Sequence, residues 1–597
     1  MELIKNRIER LRSWMREQNM SAFIIPSSDP HCSEYLPAHW ETRVWISGFT
    51  GSAGTVVITQ DNAALWTDSR YFIQAATQLK GSDIQLMKDR IPGTPSIAEW
   101  LKQQVPSDGK VGLDGWVTPA AFVQQLTNDL GGIKVDTRFD PFEFLWDDRP
   151  LIPDNQVEVQ PIDYAGQTCK DKIAAIRTFL KEKGADCILL SALDEIAWTL
   201  NMRGTDVHCN PVFVSYLLIT PQEVWLFINE MKLPEYIEEA YLPNEHVQID
   251  DYTAVDPHVE QLDPSYVFYQ DAAHTNDAIY SAIARRHKII NGMSPAQTMK
   301  AIKNKVEIQG FHNAMLRDGV ALVKFLHWLK PAVETGKQTE WSIAEKLQGF
   351  RAQQPLYRNI SFDTIAGYQA NGAMAHYEPT AKIHSDVKPE GFILIDSGAQ
   401  YQDGTTDITR TIALGPITDE QKEDYTLVLK GTIDLCMAKF PQGTTGTQLD
   451  ILARQALWNH GKNYGHGTGH GVGSYLNVHE SIDYYQFRMN YVPGVLQPGF
   501  TISDEPGIYR EGKYGVRTEN ILLITPFTES EEFGPFYQFE TLTLCPIDTT
   551  PIVTSMMTDE EIAWLNNYHK TVCEKISPFL EVDERKWLEE VTKPISK

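Results

Sequence analysis

Asp396, Asp407, His470, Glu505 and Glu519 follow one another in the C-terminal half of the chain, four carboxylates and one imidazole in five local contexts that suit metal ligation. Two divalent cations need roughly this set: four negative charges offset four positive ones, and the imidazole completes one coordination shell. Oxygen-rich sites favour manganese-like ions, whereas thiolate sites select zinc or copper. None of the seven cysteines falls among these positions. The chemistry indicated is hydrolysis by a pair of metal ions.

Each context has its own logic. Asp396 follows the apolar run Phe392-Ile393-Leu394-Ile395, which reads as a buried strand ending in a carboxylate. Asp407 lies in TTDITRTIAL beyond a turn at Gln402-Asp403-Gly404, and a hairpin of that length is expected to bring it opposite Asp396 across the ladder. His470 sits in YGHGTGHGVGSYLNVHE, where Gly465, Gly467, Gly469, Gly471 and Gly473 alternate with other residues. Glycine at this density weakens regular structure, so its expected use is to let backbone and imidazoles approach a ligand closely. The window 460–479 holds four of the 16 histidines, which marks His466, His470 and His479 as functional. Glu505 precedes Pro506, which ends its strand, and alternation in YGVRTENILLI puts Arg517 and Glu519 on one strand face. A carboxylate within an apolar strand is costly unless it is paired or metal-bound.

The elements that must position these groups follow from pattern. A chain of 597 residues exceeds one core, since single cores stop growing at about 250–300 residues. Ile8 to Ile25 and Ile173 to Leu190 share one pattern, an amphipathic helix running into a short buried strand. Each is followed by a strand pair, at 55–67 and 216–228, so two similar α/β domains are expected at 1–157 and 158–295. From Ser294 two helices, the second long and amphipathic, and a further helix near 339–353 precede glycine-rich strands. Helices at 418–439 and 447–460 interrupt them. A third domain, 296–545, thus carries every candidate ligand, and 546–597 adds a helical tail whose apolar stripe should pack on that domain or on a partner subunit.

Composition removes several function classes. The net charge of −26 argues against nucleic-acid and anionic-membrane partners, which require basic surfaces. No apolar stretch approaches the ~20 residues of a membrane span, and the start MELIKNRIERLRSWM reads as an amphipathic helix rather than a signal peptide. Seven scattered cysteines without a CxxC pair suit reduced thiols in a cytoplasm.

HY at 376–377, DSG at 396–398, TTDITRT at 405–411, GHGTGHGVG at 465–473, DEPG at 504–507 and RTEN at 517–520 closely resemble the pita-bread metallopeptidases. The length, WTDSRY at 66–71 and the helical tail resemble the long cytosolic Xaa-Pro aminopeptidases of that family. The fold class implied is α/β (α+β), with two creatinase-like N-terminal domains before a pita-bread domain. By the resemblance, Asp396, Asp407, His470, Glu505 and Glu519 would bind two divalent metal ions. Manganese is usual, with zinc or cobalt as alternatives. Asp407 and Glu519 would bridge, and Glu505 would orient or deprotonate the nucleophile. His376, His466 and His479 would act with Glu505 in catalysis. His376, His479, Arg517 and, from the first domain, Arg70 would bind substrate, and the enzyme would be a homodimer through its third domain.

The implied activity is release of an N-terminal residue that precedes proline, through a hydroxide held between two metal ions. A bond before proline has no N–H, so a histidine donating to the scissile carbonyl, His466 or His376, avoids the need for one. The leaving nitrogen requires an acid, which a histidine near neutral pKa supplies. A prolidase-like dipeptidase, a methionine aminopeptidase and a metal-free binding module are the competing classes. The length speaks against the first two, and the intact ligand set against the third.

Overall fold

The computed structural model describes residues 2–480, 486–489 and 494–597. The chain divides into two units, Met1–Gln160 with Gln167–Thr298, and Pro161–Gly166 with Met299–Lys597.

In the first unit the amphipathic start forms the helix Glu2–Glu17, which buries Ile4, Ile8, Leu11 and Met15 along one stripe. It leads into the strand Ala22–Pro26. Phe23 and Ile25 there join Leu11 and Met15, while Ala22 and Ile24 join Trp100, Leu101 and Leu126 on the opposite side. That period-two alternation is the pattern of a strand covered on both faces. Ala22–Pro26 pairs antiparallel with Thr55–Thr59, which continues to Ala63–Thr67 and, in parallel, Gln85–Lys88. On its other edge lie the parallel strands Lys110–Leu113 and Lys134–Asp136.

The second half of this unit repeats the plan. Helix Cys169–Glu182 leads into Ile188–Leu190, which pairs antiparallel with Tyr216–Ile219, then Val224–Phe227, then in parallel Gln248–Asp250. A parallel bridge from Cys187 to Phe268 adds the pair Val267–Gln270 and Lys288–Asn291 on the other edge. Strand order and direction therefore match those of the first half. The echo visible in helix spacing extends to the whole sheet.

In the second unit the helix Lys305–Glu334 is the longest element, capped by Asn304, whose side chain accepts from Val306 N and Glu307 N. Asn304 also donates to Ala165 O at 2.8 Å, and Gly166, at φ +69, leaves no room for a Cβ against Asn304 Oδ1. That contact ties the short helix Ile162–Ala165 to this unit. The strand Phe392–Ser397 lies between Ile365–Tyr368 and Ile408–Ala413 in an antiparallel sheet. A second sheet runs Lys439–Pro441, Gly534–Thr541, Asn520–Ser530, Thr501–Asp504. Helices Asp419–Cys436 and Gly446–Trp458 pack together on these strands.

The tail packs within the chain. Ile562, Leu565, Tyr568, Val572 and Ile576 of the helix Asp559–Ile576 are buried in one cluster with Val320, Val323, Phe392 and Tyr425. Its apolar stripe is buried against the third domain of the same chain, the first of the two placements expected for it. No helix of the described residues is long and apolar enough to cross a membrane.

Candidate metal centre

The sheet register corrects one expectation. Directly opposite Asp396 stands Thr409, and Ser397 faces Ile408. Asp407 lies one residue before the strand Ile408–Ala413, so it reaches Asp396 from the ladder's end rather than across it. The intervening chain forms its own ladder, Ala399–Tyr401 with Gly404–Thr405, which displaces Asp407 from the simple hairpin register. Glu519 likewise sits between strands, after Tyr514–Arg517 and before Asn520–Ser530, and its N–H donates to Thr409 O at 3.1 Å. Alternation does not govern a residue at such a break. Glu505 lies between Thr501–Asp504 and Gly507–Arg510, and its N–H donates to Thr468 O at 2.6 Å.

These breaks bring the groups together. Ligating atoms of Asp407, His470 and Glu519 lie within 4.8 Å of one another, and all three residues are buried. His470 Nε2 is 3.4 Å from Asp407 Oδ2 and 3.4 Å from Glu505 Oε1. His470 Nδ1 lies 2.8 Å from Gly471 O, a carbonyl that only accepts, so Nδ1 donates there and Nε2 is the nitrogen turned toward the carboxylate oxygens. Asp396 Oδ1 is buried with no hydrogen-bond partner among the described residues. An oxygen-rich donor set with one imidazole nitrogen turned toward it and an orphaned carboxylate oxygen fits divalent ions.

Electrostatics agree. Burial first, then Asp396, pushes Asp407 up to about 8. Burial also raises Glu505 to about 7, with His470 and Arg517 opposing, and drives Glu519 well above the carboxylate range, reinforced by Asp407 and Asp396. Burial comes first in each case, and for Asp407 and Glu519 carboxylate repulsion adds to it, which a bound cation would offset.

Arg517 links the cluster to its surroundings. It donates to Asp396 Oδ2 at 2.5 Å, Thr409 Oγ1 at 3.0 Å, Tyr509 OH at 2.6 Å and Ala375 O at 3.2 Å. Thr409 Oγ1 in turn donates to Glu519 Oε2 at 2.8 Å. Both nitrogens of His466 are engaged, Nδ1 with Gly467 O at 2.7 Å and Nε2 with Tyr509 OH at 2.7 Å. A protonated Nδ1 makes neutral Nε2 an acceptor, so Tyr509 donates to His466 while accepting from Arg517. His479 packs edge-on against His470, ring centroids 4.3 Å apart. His376 is half-buried in a turn closed by Tyr377 N donating to Met374 O at 3.1 Å. Arg70 belongs to the first unit, where Asp68 accepts from its Nε at 2.8 Å and its Nη2 at 2.7 Å.

The glycines serve packing more than ligand approach. A Cβ on Gly469 would lie 1.7 Å from Ser503 O, and one on Gly471 2.6 Å from Glu480 O. His470 sits on a strand pressed against Thr501–Asp504, with its N–H on Ser503 Oγ at 2.9 Å. Helix Gly446–Trp458 fixes the preceding loop. Arg454, paired with Asp450, donates to His466 O and Tyr464 O, each at 2.8 Å. Sequence reasoning missed Thr409, Tyr509 and Arg454. Tyr509, four residues after Glu505 on an outgoing strand, offered the one readable signal.

Residues 309–526 match the profile of metallopeptidase family M24, and 535–595 that of the C-terminal region of peptidase M24. Residues 7–141 and 148–307 each match a creatinase/prolidase N-terminal domain. Xaa-Pro aminopeptidase 1 of Dictyostelium discoideum is 38% identical, covering 99% of this chain and 97% of its own. A probable Xaa-Pro aminopeptidase P of Aspergillus niger is 40% identical, covering 99% of both. The crystal structure of the Caenorhabditis elegans X-prolyl aminopeptidase, described as a cytosolic enzyme with a di-nuclear active site, superposes with a TM-score of 0.95 at 35% identity. It covers 99% of this chain and 100% of that one. The Xaa-Pro dipeptidase from Bacillus anthracis covers only 64% of this chain, with a TM-score of 0.50 at 25% identity.

Proposed function

The chain belongs to the M24 metallopeptidase family, and we propose that it removes the N-terminal residue of peptides whose second residue is proline. Two divalent ions, manganese by preference, would be held by Asp396, Asp407, His470, Glu505 and Glu519. The observation that carries the metal site is the convergence of ligating atoms of Asp407, His470 and Glu519, with His470 Nε2 also directed at Glu505. Near-complete coverage of Xaa-Pro aminopeptidases on both sides supports the substrate class over the shorter dipeptidase.

Divalent ions held by these residues would supply an activated water at neutral pH and Lewis acidity for the substrate carbonyl. The residues do the rest. Glu505, beside Ser503 Oγ, is placed to take and return a proton. His376 is assigned to the scissile carbonyl, because the Nε2 of His466 is engaged with Tyr509. His479 is assigned to the leaving proline nitrogen, and Arg517 to the substrate's next carbonyl or carboxylate. Arg70 would meet longer peptides from the first domain. The domain limits proposed are 1–157, 158–295, 296–545 and 546–597. The protein would work in the cytoplasm as a homodimer through the third domain, and a single 67.7 kDa species in sedimentation at micromolar concentration would reject the dimer.

The test is hydrolysis of Arg-Pro-Pro against Arg-Pro and Met-Ala-Ser, with chelator and with added manganese. Cleavage of Arg-Pro-Pro alone, abolished by chelator and restored by manganese, is expected. Preference for Arg-Pro would make the enzyme a dipeptidase.

A further inference from the structure

Glu340 opens the helix Glu340–Arg351 and is fully buried, far in sequence from every motif that marks the site. Its carboxylate accepts from Tyr368 N at 2.7 Å, Asn371 Nδ2 at 3.0 and 3.1 Å, Tyr377 OH at 2.8 Å and Ser385 N at 2.7 Å. All these donors are neutral, and all lie on one segment, residues 368–385. Glu340 N in turn donates to Ser385 O at 3.1 Å, closing the segment's far end onto the helix.

A buried carboxylate without a cation is expensive unless hydrogen bonds saturate its oxygens. Here the segment provides that saturation, from its entry at Tyr368, its short 3-10 turn at Asn371, its middle at Tyr377 and its exit at Ser385. The helix N-terminus adds its favourable field. Burial, then the bond to Glu340, raises the Tyr377 hydroxyl well above its ordinary value, so the phenol stays protonated and donates.

What this segment carries is His376. The turn Met374–Tyr377 presents it between two anchors. On one side Ala375 O accepts from Arg517 Nη2 at 3.2 Å, and on the other Tyr377 OH reaches Glu340. One anchor ties the turn to the carboxylate cluster and the other to the rigid helix. Close packing reinforces the arrangement, since a Cβ on Gly515 would lie 1.7 Å from Gly372 O.

We propose that Glu340 is a positioning residue that staples residues 368–385 and, through Tyr377, sets the His376 ring against the reacting carbonyl. The inference rests on the proposed role of His376, so its test has an arm independent of activity. Hydrogen exchange of the metal-loaded full chain should show at least one of the Tyr368 and Ser385 amides exchanging at least about 10-fold faster in Glu340→Gln, because the two amides bond different carboxylate oxygens and the variant's amide nitrogen, which cannot accept, replaces one of them. The strand Phe392–Ser397 should be unchanged. Tyr377→Phe, which removes one hydroxyl and little packing, keeps the test open if Glu340→Gln fails to fold. It should lower kcat about 10-fold on an Xaa-Pro-Yaa peptide with KM moved less than about twofold. In a His376→Ala background the same Tyr377→Phe change should alter kcat by less than about twofold, because a residue acting only through His376 has nothing left to position.

Unchanged exchange at Tyr368 and Ser385 would remove the staple. Equal losses from Tyr377→Phe with and without His376 would leave a staple that does not serve His376, and would overturn the proposal. A wild type inactive on proline peptides, with exchange as expected, would instead strike the function reading and, with it, the role assigned to the staple.

Discussion

Arg517 donates to Asp396 Oδ2 at 2.5 Å with both side chains buried, and the same guanidinium holds Thr409, Tyr509 and Ala375. A planar fork reaches four acceptors, and a lysine ammonium has no comparable geometry. Burial opposes the charge on Arg517, but Tyr509, Asp396, Glu505 and Glu519 around it outweigh that cost and hold it well above its ordinary range.

Arg517→Lys is therefore expected to fold, retain metal and lose about 100-fold in kcat/KM through misplacement of Tyr509 and the His376 turn. Arg517→Met leaves Asp396 unbalanced and should cost about 3–5 kcal/mol of stability, the price of breaking a buried pair. Melting temperature and kcat/KM for both variants check the distinction. A fully active Arg517→Lys would mean that only the charge matters.

Metal should be part of the folded state's stability. Asp407 and Glu519 lie within ligand reach of His470, and a ligand bound only by the folded chain stabilises it by mass action. Chelator should lower the melting temperature of the wild type and manganese should restore it. Asp407→Asn and Glu519→Gln should lose nearly all turnover while melting at temperatures insensitive to either reagent. A variant that keeps wild-type metal content and rate would place the site elsewhere.

The groups readable from sequence were those whose chemistry is unusual for their local pattern, a carboxylate closing an apolar strand or histidines in a glycine run. What could not be read was the geometry of the interruptions. Asp407, Glu505 and Glu519 all lie at breaks between strands, where period-two alternation has nothing to say. The actual partner across the ladder from Asp396 is Thr409. Glycine density was legible, but not that Gly469 is required by the carbonyl of Ser503. Glu340 was invisible because a Thr339 cap followed by an acidic first turn is an ordinary helix start. By contrast, the N-terminal echo was legible at once, since helix and strand periods are local.

His466 should separate proton chemistry from ligation. Its nitrogens contact Gly467 O and Tyr509 OH. His466→Ala should keep near-normal metal content, read by elemental analysis, while kcat falls about 100-fold, the lower range for loss of a positioned proton-transfer or orienting group. Loss of metal in this variant would show that ligand and shuttle are interchanged.

His569 gives a pH dependence away from the centre. Burial, then Arg410, lowers it from 6.5 to about 4, and Ile547 N–H donates to its Nε2 at 3.1 Å, using the lone pair a proton would need. Because the folded value lies below the unfolded one, its contribution is fully present above pH 6.5 and is lost as pH falls toward 4. The full loss is on the order of 3 kcal/mol. His569→Asn keeps an acceptor for Ile547 but cannot titrate. The stability gap between wild type and variant should therefore narrow steadily from pH 7 to pH 4.5, and a gap independent of pH would mean that the ring titrates alike in the folded and unfolded chains.

Specificity decides whether the enzyme is the aminopeptidase its relatives imply. The proline ring removes the amide N–H that a general peptidase would use and fixes the following chain. A pocket shaped around it, with His376, His479 and Arg517 as its proposed lining, would gain contacts that an alanine methyl leaves unmade. Filled-pocket discrimination of ~1–3 kcal/mol per methylene puts loss of the ring at several kcal/mol in the transition state. Xaa-Pro-Yaa should therefore exceed Xaa-Ala-Yaa by at least about 100-fold in kcat/KM for the manganese-loaded enzyme. The difference should fall mainly in kcat if the ring aligns the carbonyl, since an interaction made only in the transition state lowers kcat and kcat/KM together when removed. Arg517→Lys should then erode the ratio between the two peptides less than the absolute rates, because it misplaces the chain beyond the ring rather than the ring itself. Comparable kcat/KM values for the proline and alanine peptides in the wild type would mean a general aminopeptidase, and the assignment of a proline pocket to these residues would have to be withdrawn.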